Sequence, residues 1–332
     1  MGVVIGQESA AAQFLAAWSA GRLHHAWLLA GPEGVGKRTF ADSAARMVLA
    51  GAPTFGVADD HPAARLIAAG SHPDLIVIER PLRKNGELGK EIVLVQLRGG
   101  TPDKGSTLES IEYRGILKLF QSTSALAEWR VVIIDAVDDL NTQSANSLLK
   151  SLEEPPARTL FLLVSHAPGR LLPTIRSRCR RLRFDLLTPA ETAAVLAEAL
   201  PESPAVERAA LERVAAGAPG RAVAYAGLHI GELQAALDTL AAAAPHDAPA
   251  LGLKLAQWLQ GKAGQPRFEA LLDLAPRTLA AHARTAPDAR LPALLDRWER
   301  AQKLADEAVP LSLEQQSVVA ELAGLVAGAA AR

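Results

Sequence analysis

Residues 27–49 read WLLAGPEGVGKRTFADSAARMVL, and the fold is decided there. Trp27–Ala30 is a short apolar run, the residues from Gly31 to Lys37 match GxxxxGK, and a helical pattern follows. A strand, a glycine turn and a helix in that order suit a phosphate. Glycines let backbone N–H groups curl around it, the helix N-terminus adds positive potential, and the lysine reaches the outer oxygens. Working outward, DLIVIE (74–79), RVVIID (130–135) and LFLLVS (160–165) are near-continuous apolar runs, as expected of strands buried on both faces of a parallel sheet. Helical stretches separate them. One, SANSLLKSLEE (144–154), stops at Pro155-Pro156 because proline cannot continue a helix. The alternation predicts right-handed βαβ units: an α/β core over residues 1–186, a parallel sheet with helices on both faces.

Beyond Leu187 the strand signal disappears. TPAETAAVLAEAL (188–200) begins with Thr188 as N-cap, Pro189 at N1 and Glu191 at N3, a capping box. Residues 187–230 read as a small helical lid domain, and 231–332 as a further all-helical domain. The Gly-, Lys- and Pro-rich stretch from Arg80 to Ser106 reads as a surface excursion. With 35 Lys+Arg against 36 Asp+Glu, the net charge of −1 excludes coating of nucleic acid by charge alone but leaves room for local basic patches. A single cysteine, Cys179, excludes an intrachain disulfide and a cysteine-based zinc module. No run of 18 apolar residues and no basic-then-apolar leader is found, so a cytoplasmic protein without membrane contact is expected.

The phosphate loop departs from its own rule. The residue after Lys37 is ordinarily Ser or Thr, whose hydroxyl holds Mg²⁺; here it is Arg38, and Thr39 lies about 100° further round the helix. Asp135, at the end of a buried strand, sits where P-loop NTPases place the carboxylate that organises Mg²⁺. Hydrolases of the AAA+ kind place a glutamate next, to polarise the attacking water. This chain has Ala136, and losing a positioned base costs about 10²–10⁴-fold. Gly31, Glu33, Gly34, Val35, Gly36, Lys37, Arg38, Thr39 and Asp135 therefore form a degenerate nucleotide site. It has no metal ligand set of its own and requires no cofactor; residual ATP or ADP binding stays open. Arg38 opposes the helix dipole, so it should either hold an anion or pair with Asp135. Asp138 and Asp139 read as a solvated face.

Three further strings, RVVIIDAVDDLN (130–141), LLKSLEEPP (148–156) and TIRSRC (174–179), together with GRLHHAWLLAGPEGVGK (21–37), resemble the clamp-loader branch of AAA+ proteins, and within it the delta-prime family of bacterial DNA polymerase III. VVIGQESA (3–10) resembles the segment lining the adenine pocket in that family. The resemblance covers about 1–230; the C-terminal helices resemble the family's oligomerising collar in general character. It implies a stator that turns over no ATP itself, within a loader that opens a sliding clamp and closes it on primer-template DNA. Its implied partners are the gamma/tau motor and delta subunits. It also implies that Arg178 of Ser177-Arg178-Cys179 is an arginine finger for a motor neighbour's ATP. The physics agrees: an always-charged guanidinium beside a transferring phosphoryl is worth about 10³–10⁵ in rate. The alternative is an active AAA+ motor subunit of the same loader. A P-loop kinase for a small metabolite would leave SRC unexplained.

The chain departs from the family in three places. Residues 46–73 lack the four cysteines of its zinc module, Gly220 and not Arg221 takes the sensor-arginine position, and Ser165-His166 replaces a polar sensor. Arg176, Arg180, Arg181 and Arg183 read as a solvated or ion-paired face, with DNA-backbone contact or subunit pairing as the alternative. Cys179 reads as a small packed hydrophobe, His24 and His25 as capping or packing groups. Glu153 and Glu154 diverge by about 100° and suit structure or an interface better than acid–base work.

Overall fold

The computed structural model describes residues 5–121, 125–260, 264–309 and 311–330. The chain divides into two compact units, 1–191 and 192–332. The first contains α1 (Glu8–Ser19), β1 (Ala26–Ala30), α2 (Lys37–Leu49), α3 (Pro62–Ala68), β2 (Leu75–Glu79), α4 (Leu94–Arg98) and α5 (Ile116–Gln121). It continues through β3 (Arg130–Asp135), α6 (Thr142–Glu153), β4 (Thr159–Ser165), α7 (Pro173–Arg176) and β5 (Arg180–Arg183). The five strands form one parallel sheet in the order β2-β3-β4-β1-β5, the expected parallel α/β core.

The four strands expected from apolar runs all form, and β5 is an addition. Only Leu182 of its sequence RRLR is buried, because β5 is an edge strand whose arginines face solvent. Charged residues on an edge also deter pairing with another chain. One face of the sheet meets α1 and α2 through an aromatic cluster in which Phe14 packs on Trp27 and Phe40, and Phe40 on Phe184. The other buries Leu28, Ile76, Val132, Ile134 and Leu163 with Leu148 and Leu152 of α6. Burying each such side chain is worth roughly 1.5–3 kcal/mol.

Asp74, immediately before β2, is almost fully buried at 2% exposure. Its carboxylate accepts the backbone N–H groups of Ala125 (2.8 Å), Leu126 (2.9 Å) and Ala127 (2.9 Å), which forms a nest ahead of β3. Its own carbonyl accepts from Val131 N–H at 2.9 Å, so one residue fixes both the side chain and main chain to the start of β3.

The expected excursion contains α4, and isolated bridges join Leu82 to Leu88 within it and tie Arg83, Ile92 and Gly100 to Leu108, Leu140 and Tyr113 beyond it. Gly115 closes that region: a Cβ there would lie 2.1 Å from the Gly99 nitrogen.

Helix α8 (Pro189–Ala199) begins with the predicted capping box. Thr188 N–H and hydroxyl donate to Glu191 Oε2 at 2.7 and 2.8 Å, and Glu191 N–H returns to Thr188 Oγ1 at 3.3 Å. Helices α9 (Ala205–Ala215), α10 (Pro219–Ala224), α11 (Ile230–Ala242), α12 (Ala248–Trp258), α13 (Gly264–Thr285), α14 (Leu291–Ala308) and α15 (Gln315–Val326) follow. The stretch read as a lid and the helices read as a separate domain share one core, in which Leu211, Ile230, Leu237, Leu271 and Leu322 lie together. The division into two compact units falls at 191/192. No described helix is long and apolar enough to cross a membrane.

Candidate functional site

Ligands of open α/β sheets bind at the carboxyl ends of the strands. The phosphate loop sits there because β1 ends at Ala30 and the turn runs straight into α2. Gly31 passes so close to the chain after β5 that a Cβ would lie 2.1 Å from the Phe184 carbonyl oxygen, so no other residue fits. Gly36, the N-cap of α2, has φ 94°, a left-handed conformation that glycine adopts without steric cost. Gln7 braces the loop from outside: its buried amide donates to the carbonyls of Val35 (3.3 Å) and Asp185 (2.9 Å). Sequence reading named its stretch but not this role. Val3 and Val4 of the same stretch lie outside the described residues.

Lys37 is 3% exposed, and its ammonium donates to the carbonyls of Gly31 (2.7 Å) and Pro32. Burial lowers its pKa to about 8, against the attraction of Glu33, Asp135 and Asp138. The lysine is folded onto its own loop.

Arg38 pairs with Asp135, one of the two fates expected for it. Its Nη1 lies 3.2 Å from Asp135 Oδ2 and 3.1 Å from Glu79 Oε2, while Nε lies 3.0 Å from Asp42 Oδ1. The pairing follows from register, since Glu79 ends β2 directly opposite Asp135 at the end of β3. Asp42, one helical turn along α2, completes the set. The guanidinium thus engages Asp135, whose place at the end of β3 is that of the carboxylate organising the cation in P-loop NTPases. Burial works against its charge, but Asp42, Glu79 and Asp135 outweigh this and hold Arg38 protonated beyond the ordinary arginine range; burial also raises the Asp42 carboxyl. Thr39 lines a groove of about 760 Å³ beside β2. Ala136 is buried and offers no polar group.

Asp138 and Asp139 are not the solvated face that was expected. Asp138 accepts from Ser165 Oγ (2.9 Å), His166 N–H (2.6 Å) and Ala167 N–H (3.3 Å), tying the turn after β3 to the end of β4. Asp139 lies 3.5 Å from Arg80, and burial raises its carboxyl. The pattern DD in a polar turn carries no sign of these long-range partners.

Arg178 lies just past α7. Its Nη1 donates to the Thr174 carbonyl (3.0 Å), and its Nη2 to Glu153 Oε1 (2.7 Å) at the end of α6. About a third of its side chain is exposed. The neighbouring Cys179 packs against the core, and burial pushes its thiol up to about 12, so it is unreactive. Arg180 lies over the Trp27 ring at 4.9 Å, Arg183 pairs with Asp185 at 2.7 Å, and Arg181 is exposed. Arg176 donates to the Pro168 carbonyl at 3.4 Å.

Residues 6–188 match the family described as DNA polymerase III, delta subunit. This chain belongs to that family. Among its relatives, the DNA polymerase III subunit delta' of Pseudomonas aeruginosa is 37% identical over 196 residues, 59% of this chain and 53% of the relative. The delta' subunit of Escherichia coli K12 is 33% identical over 241 residues, 71% of this chain and 64% of that one. DNA polymerase III subunit gamma of Buchnera aphidicola subsp. Schizaphis graminum is 32% identical over 188 residues, 56% and 45%. Each match spans less than two-thirds of the relative.

In this DNA polymerase III delta-family chain Ser165 is held by Asp138, and Arg221, next to Gly220, lies 3.6 Å from Asp273 within the second unit, beside the Tyr225 hydroxyl that donates to the same carboxylate at 2.5 Å. Among the described residues, no group of three or more His, Cys, Asp or Glu could hold a metal ion.

Substituting Arg38 with alanine is expected to lower the stability of the first unit by about 1–2 kcal/mol, because three carboxylates lose their counter-charge at a site that is a third exposed. Urea denaturation followed by tryptophan fluorescence checks this, and the loss should shrink at 0.5 M salt as the carboxylates are screened. A salt-independent loss would point to packing alone.

Proposed function

We propose that this chain is a non-hydrolysing stator of the DNA polymerase III clamp loader, helping ATP-driven loading of the sliding clamp onto primer-template DNA. Its partners in this reading are the gamma/tau motor subunits and the delta subunit. One observation carries the reading: Arg38, which replaces the Mg²⁺-holding Ser or Thr of a phosphate loop, is bonded to Asp135. Arg38 replaces the Mg²⁺-holding hydroxyl and Ala136 the water-polarising base, so two groups that ATP hydrolysis relies on are missing from their motif positions. The chain's chemical contribution is Arg178, partly exposed, with N–H groups left over after its two hydrogen bonds. Pointed at a motor neighbour's γ-phosphate, it would neutralise charge in the transition state.

The test is ATP turnover by the isolated chain in millimolar Mg²⁺. No phosphate release above the enzyme-free background is expected, and Lys37→Ala should change nothing. Release that Lys37→Ala abolishes would establish the motor reading instead.

A further inference from the structure

Glu153 is the last residue of α6, and a carboxylate there faces the negative end of the helix dipole. Such an anion is unfavourable by itself, so what it contacts matters. It bonds Arg178, 25 residues later in sequence, with Glu153 Oε1 2.7 Å from Arg178 Nη2. The helix stops at this point because Pro155 and Pro156 follow, which fixes where the carboxylate stands. On the other side, the Thr174 carbonyl takes Nη1 at 3.0 Å. The guanidinium is therefore held by a carboxylate from α6 and a carbonyl from the preceding α7, and a planar group gripped at both terminal nitrogens has its plane set.

We propose that Glu153 is the positioning residue of Arg178, fixing the guanidinium so that its remaining N–H edge meets the γ-phosphate of a nucleotide on the neighbouring subunit. This rests on the stator reading above. An arginine on a free side chain would lose rotamer entropy each time it engaged phosphate; one already gripped loses less. Half the Glu153 side chain is exposed, so the pair adds little to the stability of the fold and its value lies in orientation.

The experiment measures ATP turnover by the loader assembled from this full chain, motor and delta subunits, clamp and primed DNA. The variants are Glu153→Ala, Glu153→Gln, Arg178→Ala and the double variant Glu153→Ala/Arg178→Ala. Glu153→Ala is expected to lower the kcat of the Arg178-dependent turnover roughly three- to tenfold, the range for losing a charge-assisted hydrogen bond at a half-exposed site, with KM for ATP within about twofold. Glu153→Gln still accepts from Nη2 and should recover part of the loss. The double variant should match Arg178→Ala, since a positioning residue has nothing to position once the arginine is gone.

Wild-type turnover in Glu153→Ala while Arg178→Ala is slow overturns the positioning role and leaves the arginine's role standing. Wild-type turnover in Arg178→Ala overturns both. A double variant slower than Arg178→Ala places the effect of Glu153 elsewhere and also overturns the proposal. Should Glu153→Ala fail to assemble, Glu153→Gln decides: intermediate turnover supports the proposal, and wild-type turnover overturns it.

Discussion

On the proposed stator reading, Arg178→Ala is expected to slow ATP hydrolysis by about 10³-fold or more at the motor site it would serve, the lower end of what a trans-acting arginine contributes. A loader has several motor sites, so the readout is phosphate release in the first turnover after primed DNA is added. The variant should lose the amplitude of a single site. Arg178 is bonded to Glu153 and Thr174, yet a third of it stays open to solvent. Stability should move little, because a half-exposed ion pair is worth about 0–1 kcal/mol. The loss is therefore separable from misfolding by size-exclusion of the assembled loader. Arg178→Lys keeps the charge but not the planar fork, and should recover only part of the rate. Full first-turnover amplitude in Arg178→Ala, with the loader intact, would leave this chain a passive scaffold.

Arg178 is singled out by the letters around it, but its contacts with Glu153 and Thr174 are not written in them. The strands β1, β3 and β4 are apolar on both faces, so their sequences show strands without any alternation to interpret. β5 has one buried residue between arginines, and no pattern of period two or of continuous burial marks it. The departure at Arg38 was visible because a motif fixes what should stand there. Its pairing with Asp135 followed from charge, since both lie at the carboxyl end of the sheet. Glu79 and Asp42 joined it through strand register and helical spacing, which single letters do not carry. Asp138 shows the opposite limit: an ordinary acidic turn residue in sequence, it ties β3 to β4 through bonds to residues 27–29 positions away.

The largest expected stability effect lies at a residue that the motifs pass over. Asp74→Ala should destabilise the first unit by about 3–5 kcal/mol, since it strips the acceptor from three backbone N–H groups in a site with almost no solvent. Asp74→Asn keeps the size but presents an amide NH₂ where an oxygen is needed, and should be intermediate. The reporter is close: Trp129 follows the nest directly and packs edge-on against Trp18 at 5.8 Å, so tryptophan fluorescence in urea follows this region. The carboxylate also sets a pH dependence. Burial pushes the Asp74 carboxyl up, but the N–H groups of Ala127, Ala125 and Leu126 pull it down further, and the net pKa is below the ordinary aspartate range. Between that lowered folded value and the ordinary value, the unfolded chain binds the proton and the folded chain does not, so stability rises with pH across this window. The contribution is complete above about pH 4, the ordinary aspartate value, and is lost as acid protonates the folded carboxyl. Wild-type stability should therefore fall more steeply on acidification than that of Asp74→Asn, which has no proton to take up at this position. Parallel pH profiles for the two chains would mean that the nest is held by something other than the charge.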